Sequence, residues 1–481
     1  MPDMADAGGR EQADSPQSSE GGANDSPQTG GEYPTDPSHP NDLPDTLDPF
    51  RQFVSFRQDV LVLSLAMFTF SLGFQMTTRY IPEYLNVLGA TALVIGLFGT
   101  VQNLIGAAYP YPGGALSDRL GSRRSLTLFG LVSTLGFAIW LVAPAIGTLS
   151  LAGLVVEPWV WIFVGLFLAQ AWKSFGLGAT YAIVKQSVPP ANLARGFAST
   201  EVFRRTAFLI GPLLAAGLLF LATDFTTGFQ VVLAVAVIFA LVGTIAQHRL
   251  YKDKDTTIGD SFEGIREVVS DLRTLPPELR PLLVADTLVR FANGMVYVFF
   301  VIVVVDFLEV GLDIGTVSLD PAVFFGLLLG IEMLVALVSM PLAARLAEST
   351  GLKPVVAFGF SVYAIFPALL ILAPANPLVV ALLFAYSGLR FAGLPAHKAL
   401  IVGPAERDTG GRVAGSYYLL RNTVVIPSAL LGGALYGGFS IPTTELSYAG
   451  SPELAFLTAT AVGLFGTVSF VLFGREFDAY T

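Results

Sequence analysis

The strongest constraint on this fold is a series of long apolar segments, each close to the length of a membrane-crossing helix. An α-helix rises 1.5 Å per residue, so about 20 apolar residues span the hydrocarbon core of a bilayer. Only 13% of the 481 residues are charged, about half the fraction that is usual in soluble proteins. The segments predict twelve transmembrane helices, roughly at 59–79, 91–113, 124–145, 159–184, 197–222, 227–247, 282–305, 322–345, 354–374, 377–401, 413–437 and 453–474.

The second half of the chain repeats the first. Residues 173–217 align without a gap on residues 390–434 at a constant offset of 217, and this pairs Lys173 with Arg390. A second pair, 117–124 and 347–354, lies upstream. Internal repeats in a membrane protein are typical of secondary transporters, whose substrate site lies between the repeats. We therefore expect an all-α membrane protein with two pseudo-symmetric six-helix bundles.

Composition divides the chain into four parts. The first is rich in Gly, Pro, Ser and Asp and has eleven acidic residues against one arginine, a composition that predicts disorder. The third carries apolar residues at helical spacing among charges, which predicts an amphipathic helix at the membrane surface. The predicted parts are an acidic tail at 1–50, an N-terminal bundle at 51–247, a cytoplasmic linker at 248–281 and a C-terminal bundle at 282–481.

Charge placement predicts the orientation. When the N-terminus is placed in the cytoplasm, nearly all loop arginines and lysines fall on the inner side, and most acidic loop residues fall on the outer side. Lys and Arg bias of this kind sets membrane topology. We therefore expect a multi-pass protein of the cell membrane with both termini in the cytoplasm.

Several classes of function are disfavoured by what the sequence lacks. There is no cysteine, and there are only three histidines, so we expect no disulfide, no metal site, no cofactor and no enzyme activity. The phosphate-binding motif G-x-x-x-x-G-K-[ST] is also absent, which disfavours an ATP-driven pump. The expected partners are the lipid bilayer and a small-molecule substrate, not a nucleic acid, and a monomer suffices for this fold.

The segment GGALSDRLGSRR at 113–124 resembles the signature loop between the second and third helices of the major facilitator superfamily. In the second copy, Ser349 replaces the arginine of the signature. The resemblance implies a twelve-helix fold and a cytoplasmic gate, in which Asp118 meets the start of the eleventh helix near Arg412. The arginines would pair with acids such as Glu201 and Glu406, although setting topology alone also explains them. The matching residues are Gly114, Asp118, Arg119, Gly121, Arg123 and Arg124, with Glu348, Gly351 and Lys353 in the second copy.

Two further elements resemble those of proton-coupled exporters in the same superfamily. The fourth span contains AQAWKSFGLGATYA, with Lys173 in the position of the usual arginine. In the fifth span, Gly211 and Pro212 partly match an antiporter element, and Pro427 lies in similar sequence in the eleventh. Small residues and proline there predict close packing or a hinge, and packing alone also explains them.

Glu332 is identified as the only acid deep inside any span and as the candidate proton carrier. A carboxyl group in the membrane interior marks a functional site by default, and it can load and release a proton. Arg290 and Arg421 are its possible counter-ions. A purely structural ion pair is the alternative.

Deep cations outnumber deep acids, which leaves two hypotheses for the substrate. A proton-coupled exporter of small organic compounds rests on the exporter elements and on Glu332. A transporter of an organic or inorganic anion rests on the basic residues, because arginine binds anions bidentately. Arg204 and Arg205 are further basic residues one or two turns inside the membrane. The predicted substrate cavity consists of Lys173, Arg290, Arg390, Arg421, Asn293, Trp172 and Gln75.

Overall fold

The computed structural model forms two units, 1–48 and 49–481, and every described residue belongs to the second. The acidic tail and residues 251–276 of the predicted linker lie outside the described part of the chain. The described residues are 58–109, 116, 120–151, 154–175, 193–250, 277–403, 410–440 and 447–476.

Helices account for nearly all of this part of the chain. Apolar side chains make the helices compatible with a bilayer, where the backbone must satisfy its own hydrogen bonds. The α-helices are α1 (Gln58–Thr77), α2 (Ile81–Val87), α3 (Ala92–Ala108), α4 (Ser122–Ile146), α5 (Trp159–Gln170), α6 (Leu193–Phe220), α7 (Phe225–Leu250), α8 (Arg280–Val296), α9 (Phe300–Ile302), α10 (Pro321–Thr350), α11 (Leu352–Ile371), α12 (Pro377–Gly388), α13 (Leu394–Val402), α14 (Gly410–Val425), α15 (Ser428–Gly437) and α16 (Pro452–Phe473).

Each predicted span coincides with helix where the structure describes it. Eight helical stretches are long and apolar enough to cross a membrane, and three apolar helices are shorter within the described residues. Several spans are broken rather than continuous, because short turns of other helical type interrupt them. The interrupting turns are the 3₁₀ helices Tyr297–Phe299 and Leu389–Phe391. A further 3₁₀ helix, Pro277–Leu279, precedes the seventh span, and π-helices form at Ala171–Phe175 and Val303–Phe307.

The two ends of the helix bundle differ in their connections. Among the described residues, one end, here the hairpin face, carries three short antiparallel hairpins formed by six strands. The opposite end, here the linker face, carries the loop glycines Gly121 and Gly351 and the end of α7. The strands are β1 (Leu149–Leu151), β2 (Leu154–Val156), β3 (Leu312–Ile314), β4 (Val317–Leu319), β5 (Phe439–Ser440) and β6 (Ser447–Tyr448).

Packing joins helices within each sequence half and also between the halves. In the first half α1 packs on α6 and α7, and α4 packs on α5 and α7; in the second, α8 and α11 pack on α16. The halves meet where α3 packs on α15 and α6 packs on α10. Tyr80 donates a hydrogen bond to the Ala322 carbonyl at 3.1 Å, which joins the halves near the hairpin face. The Leu430 amide also donates to Thr100 Oγ1 at 2.9 Å.

Glycine lets α3 and α15 approach closely. A Cβ atom built on Gly96 would clash with the Ala429 carbonyl oxygen and would lie 3.0 Å from Gly433 Cα. A Cβ on Gly106, two turns or more along the same helix, would meet nothing within 4 Å. The backbone contact between the halves therefore depends on the absence of a side chain at particular positions of α3.

The two proposed hinge prolines occupy different surroundings. Pro212 lies inside α6 without ending it, and its neighbour Gly211 packs against α1, where a Cβ would lie 2.7 Å from Gln75 Cβ. Pro427 stands between α14 and α15 and divides the eleventh span. A proline removes a helical hydrogen bond and can kink or break the helix. Only the second of these two prolines coincides with a break.

Candidate coupling and substrate site

A buried ion pair lies in the middle of the eighth and tenth spans. Glu332 on α10 is 3% exposed and Arg390 is equally buried. Arg390 Nη2 contacts Glu332 Oε1, and Ser387 donates a hydrogen bond to the same oxygen at 3.3 Å. Arg390 Nε, also buried, has no hydrogen-bond partner among the described residues. The two charges offset the cost of each other's burial, and either one left alone would be strongly unfavourable.

The helix is irregular at Arg390 and at its repeat partner Lys173. Arg390 belongs to the 3₁₀ turn Leu389–Phe391, and Lys173 belongs to the π-helix Ala171–Phe175. Such interruptions of an α-helix frequently mark functional sites. The repeat therefore matches in local backbone irregularity as well as in charge.

Aromatic rings surround the buried pair. The guanidinium carbon of Arg390 lies 5.1 Å from the centroid of the Tyr363 ring and 4.9 Å from that of Phe391. Tyr297 lies close to Arg390 and Glu332. Arg79, from the other half of the chain, lies 4.1 Å above the Tyr297 ring. Such cation–π contacts link the pair to a residue of the first half.

A second charged cluster surrounds Asp286 on α8, which has no exposed surface. Its carboxylate accepts a hydrogen bond from Arg290 Nε at 3.3 Å and one from Arg421 Nη1 at 3.0 Å. Tyr417 donates to it at 3.2 Å. His397 Nε2 lies 3.2 Å from Asp286 Oδ2 without hydrogen-bond alignment. We call these five residues the Asp286 cluster.

Tyr363 connects the two charged groups. Arg290 Nη1 donates to the Tyr363 hydroxyl at 3.1 Å, and the same ring lies under Arg390. A continuous series of polar contacts therefore runs from Glu332 through Arg390, Tyr363 and Arg290 to Asp286. Every group in the series lies in the second half of the chain.

The Asp286 cluster corrects the identification of Glu332 as the only deep acid. Asp286 lies within the seventh predicted span, and its burial was missed because it stands near the start of that span. Arg290 and Arg421, the possible counter-ions of Glu332, bind Asp286 instead. The spacing in the sequence indicates this pair, because Asp286 precedes Arg290 by four residues and the two therefore share one face of a helix.

The remaining cavity candidates occupy other surroundings. Lys173 is exposed, with Nζ 5.6 Å from the centroid of the Phe74 ring. Trp172 is buried and stacks on Phe70 with ring centroids 4.2 Å apart. Gln75 and Asn293 are half-buried on α1 and α8. The side chains of Arg204 and Arg205 lie outside the described part of the structure.

The loop motif is described only in part. Gly121 and Gly351 have φ angles of 82° and 88°, which glycine adopts without steric cost. Arg123 Nε donates a hydrogen bond to the His248 carbonyl at 2.8 Å, at the end of α7. This arginine therefore binds the backbone of a helix, whereas the sequence predicted acidic side chains as partners. Arg124 and Glu348 are exposed and Lys353 is half-buried. Six residues of the predicted gate lie outside the described ranges or have undescribed side chains, namely Gly114, Asp118, Arg119, Glu201, Glu406 and Arg412.

Glu476 caps the start of a helix at the linker face of the second half. Its Oε1 accepts a hydrogen bond from the Leu352 amide at 3.1 Å, and its Oε2 accepts one from the Lys353 amide at 2.8 Å. These amides begin α11, where a helix has unsatisfied donors and a partial positive charge. The carboxylate that follows the twelfth span therefore caps the ninth.

We expect Glu476→Ala to lower the free energy of unfolding by about 1 kcal/mol, the usual cost of a lost N-terminal helix cap. The unfolding midpoint of the purified protein measures this loss. Glu348→Ala is the matched control, because Glu348 is an exposed acid on the same face. Equal midpoints for the two variants would contradict the capping role.

Sequence relatives point to one family of membrane proteins. Residues 29–156 match the sequence profile of the Major Facilitator Superfamily. An uncharacterized MFS-type transporter of Mycobacterium tuberculosis is 30% identical over 43% of this chain, and the match spans 46% of that relative, less than half its length. An uncharacterized MFS-type transporter of Methanocaldococcus jannaschii is 22% identical over 85% of this chain and 92% of its own length. Multidrug resistance protein MdtG of Escherichia coli is 23% identical over 82% and 92%.

Solved structures share the fold at low sequence identity. The nucleoside transporter NupG superposes with a TM-score of 0.66 over 86% of this chain and 98% of that one, at 10% identity. A POT family transporter in complex with 5-aminolevulinic acid gives 0.64 over 88% and 99%, at 13% identity. The fold is therefore the mostly helical membrane fold of these transporters. The sequence profile over residues 29–156, the relatives and the shared fold agree, and all of them make this chain similar to the major facilitator superfamily of membrane transporters.

Proposed function

We propose that this protein is a proton-coupled exporter of small organic compounds that works by alternating access across the cell membrane. The observation that carries the proposal is the buried Glu332–Arg390 pair in the middle of the eighth and tenth spans. A carboxyl group there can be ionised and paired with the arginine, or it can bind a proton and release the arginine. Export is supported by the exporter-like elements of the fourth and fifth spans and by the similarity to a multidrug resistance protein.

The coupling follows from competition for Glu332. When Glu332 is ionised, Arg390 is held; when Glu332 takes a proton, the attraction is lost and Arg390 is left with an uncompensated buried charge. Arg390 must then change partner or surroundings. Because Tyr363 and Tyr297 lie beside Arg390, and Arg79 of the first half lies over the Tyr297 ring, such a change would alter a contact between the two halves of the chain.

Anion transport has less support from the charges that are described. Arg290 and Arg421 contact Asp286, and Arg390 contacts Glu332, so three of the candidate anion-binding cations already have acidic partners. Lys173, in the first half, is exposed and lies near the Phe74 ring. An anionic substrate that binds these arginines would have to displace a buried carboxylate.

The orientation and organisation form part of the same proposal. Positive loop residues favour a cytoplasmic linker face, with both termini inside and the hairpin face outside. The bundles at 51–247 and 282–481 would rock against each other around the site. A monomer would perform this cycle, with the proton as the coupling ion.

Transport into proteoliposomes under an imposed pH gradient tests the proposal, with a pooled panel of dyes, drugs and organic anions as substrates. We expect the wild-type protein to move cationic or neutral organic compounds in the direction opposite to the flow of protons down the imposed gradient. Glu332→Gln cannot exchange a proton at this position, so it should lose gradient-driven flux and retain substrate exchange.

Asp320→Asn is the matched control, because Asp320 is an exposed acid at the start of the same helix, α10. It should keep the wild-type response to the gradient. Flux that depends neither on the gradient nor on Glu332 would contradict proton coupling at this residue. Selective transport of anions, abolished by Lys173→Gln, would instead favour the anion transporter.

A further inference from the structure

We infer that Glu83 and Asp306 form a proton-binding site, and that the bound proton stabilises the contact between the two halves of the transporter at the hairpin face. Glu83 lies on α2, after the first span, and Asp306 lies in the π-helix that ends the seventh span. The two residues therefore come from opposite halves. A proton shared by their carboxyl groups would bind only while the halves are in contact.

Burial of Glu83 is the first observation behind this assignment. Glu83 is 3% exposed, and its Oε2 has no hydrogen-bond partner among the described residues. An ionised carboxylate without partners is costly in such a position. Burying a protonated carboxyl group costs much less, and the protonated group can also donate a hydrogen bond.

The neighbours of Glu83 are the second observation. Its carboxyl adjoins that of Asp306, and Asn86 Nδ2 donates to Asp306 Oδ2 at 2.7 Å. Asn86 thus holds Asp306 across the boundary between the halves, while Glu83 faces the same carboxyl group. Two adjacent carboxyl groups cannot both ionise without repulsion, so one proton is retained.

Other charges at this face add to the repulsion. Burial, and then the charge of Asp306, raise the pKa of Glu83 from its ordinary 4.5 to about 8, and the hydrogen bond from Asn86 offsets only part of this. Among the described residues, no arginine or lysine contributes to that pKa. The other titratable groups near the pair are Glu309 beside Asp306 and Tyr436 on α15, and Glu453 on α16 lies near Tyr436.

The expected pH dependence follows from linkage. With the halves apart, both carboxyl groups meet water and Glu83 titrates near 4.5; with the halves together, the pair keeps a proton up to about pH 8. Between these values the closed hairpin face binds one proton more than the open one. Raising the pH should therefore shift the equilibrium toward the open face, by at most about tenfold per pH unit for one proton.

Distance measurements between two spin labels test this inference in the full-length protein. The chain has no cysteine, so Leu221→Cys and Ile314→Cys place one label on each half of the hairpin face, at side chains that are 81% and 61% exposed. We expect the fraction of molecules with a short distance between the labels to decrease as the pH is raised from 5 to 8. Glu83→Gln should remove this dependence, because an amide does not titrate.

Asp306→Asn provides a second variant, with the same expected loss of pH dependence if Glu83→Gln fails to fold. Glu157→Gln is the matched control, because Glu157 is an exposed acid on the same face, and it should keep the wild-type profile. A wild-type distance distribution that does not change with pH would overturn the inference. So would closure that follows sodium concentration at constant pH, since the pair would then bind a metal cation. Neither result depends on Glu332, so the proposed export function stands or falls separately.

Discussion

Asp286→Asn should be among the most destabilising conservative substitutions in this protein. Asp286 is fully buried and is the shared partner of Arg290 and Arg421. An amide of the same shape keeps two lone pairs but removes the negative charge that compensates two guanidinium groups. Removing one partner of a buried ion pair typically costs about 3–5 kcal/mol. We expect a strongly lowered unfolding midpoint and reduced yield in the membrane.

A compensating substitution separates charge balance from packing. Asp286→Asn combined with Arg421→Gln removes one acid and one base, so the double variant should regain part of the lost stability. Asp313→Asn, an exposed acid on β3 that accepts a hydrogen bond from Ser318, should stay within about 0.5 kcal/mol of the wild type. A midpoint for Asp286→Asn equal to that of Asp313→Asn would contradict the central role of this carboxylate.

The features that were predictable from the sequence depend on local or compositional rules. A bilayer demands about 20 apolar residues per helix, so helix positions follow from hydropathy alone. Gly121 and Gly351 were expected at tight loops, and both have positive φ. These features need no knowledge of which helices are neighbours.

The pairing of charges was not predictable in the same way. Glu332 could be recognised as a buried acid, but its partner proved to be Arg390 on another span rather than Arg290 or Arg421. Depth and partner depend on tertiary packing, which brings α10 and the turn at Arg390 together. Sequence position relative to a span end is a poor measure of burial, as Asp286 demonstrates.

Partners supplied by the backbone are equally hidden in a sequence. Arg123 binds the carbonyl of His248, and any residue at that position could supply the same oxygen. Glu83 stands between two spans, where an acid is usually solvated. It is buried in the folded protein, beside Asp306 from the other half of the chain.

Gly96→Leu should abolish transport by preventing the two halves from meeting at the hairpin face. A side chain at Gly96 would clash with the Ala429 carbonyl oxygen and crowd Gly433 Cα at 3.0 Å. Both contacts are to backbone, which cannot rotate away as a flexible side chain can, so α3 and α15 must separate. Alternating access requires the closed arrangement at some stage. Loss of flux in proteoliposomes, with a longer distance between labels at positions 221 and 314, would be the expected pair of results.

Gly106→Leu makes the same chemical change on the same helix, at a position where an added Cβ meets nothing within 4 Å. The two variants share any effect of replacing glycine within α3, so the difference between them isolates the contact between the halves. Gly106→Leu should fold and transport like the wild type. Normal flux and an unchanged label distance in Gly96→Leu would mean that α3 and α15 do not need backbone contact. The closed hairpin face would then depend chiefly on the side chains of Tyr80, Asn86 and the Glu83–Asp306 pair, which the pH-dependent label distances measure directly.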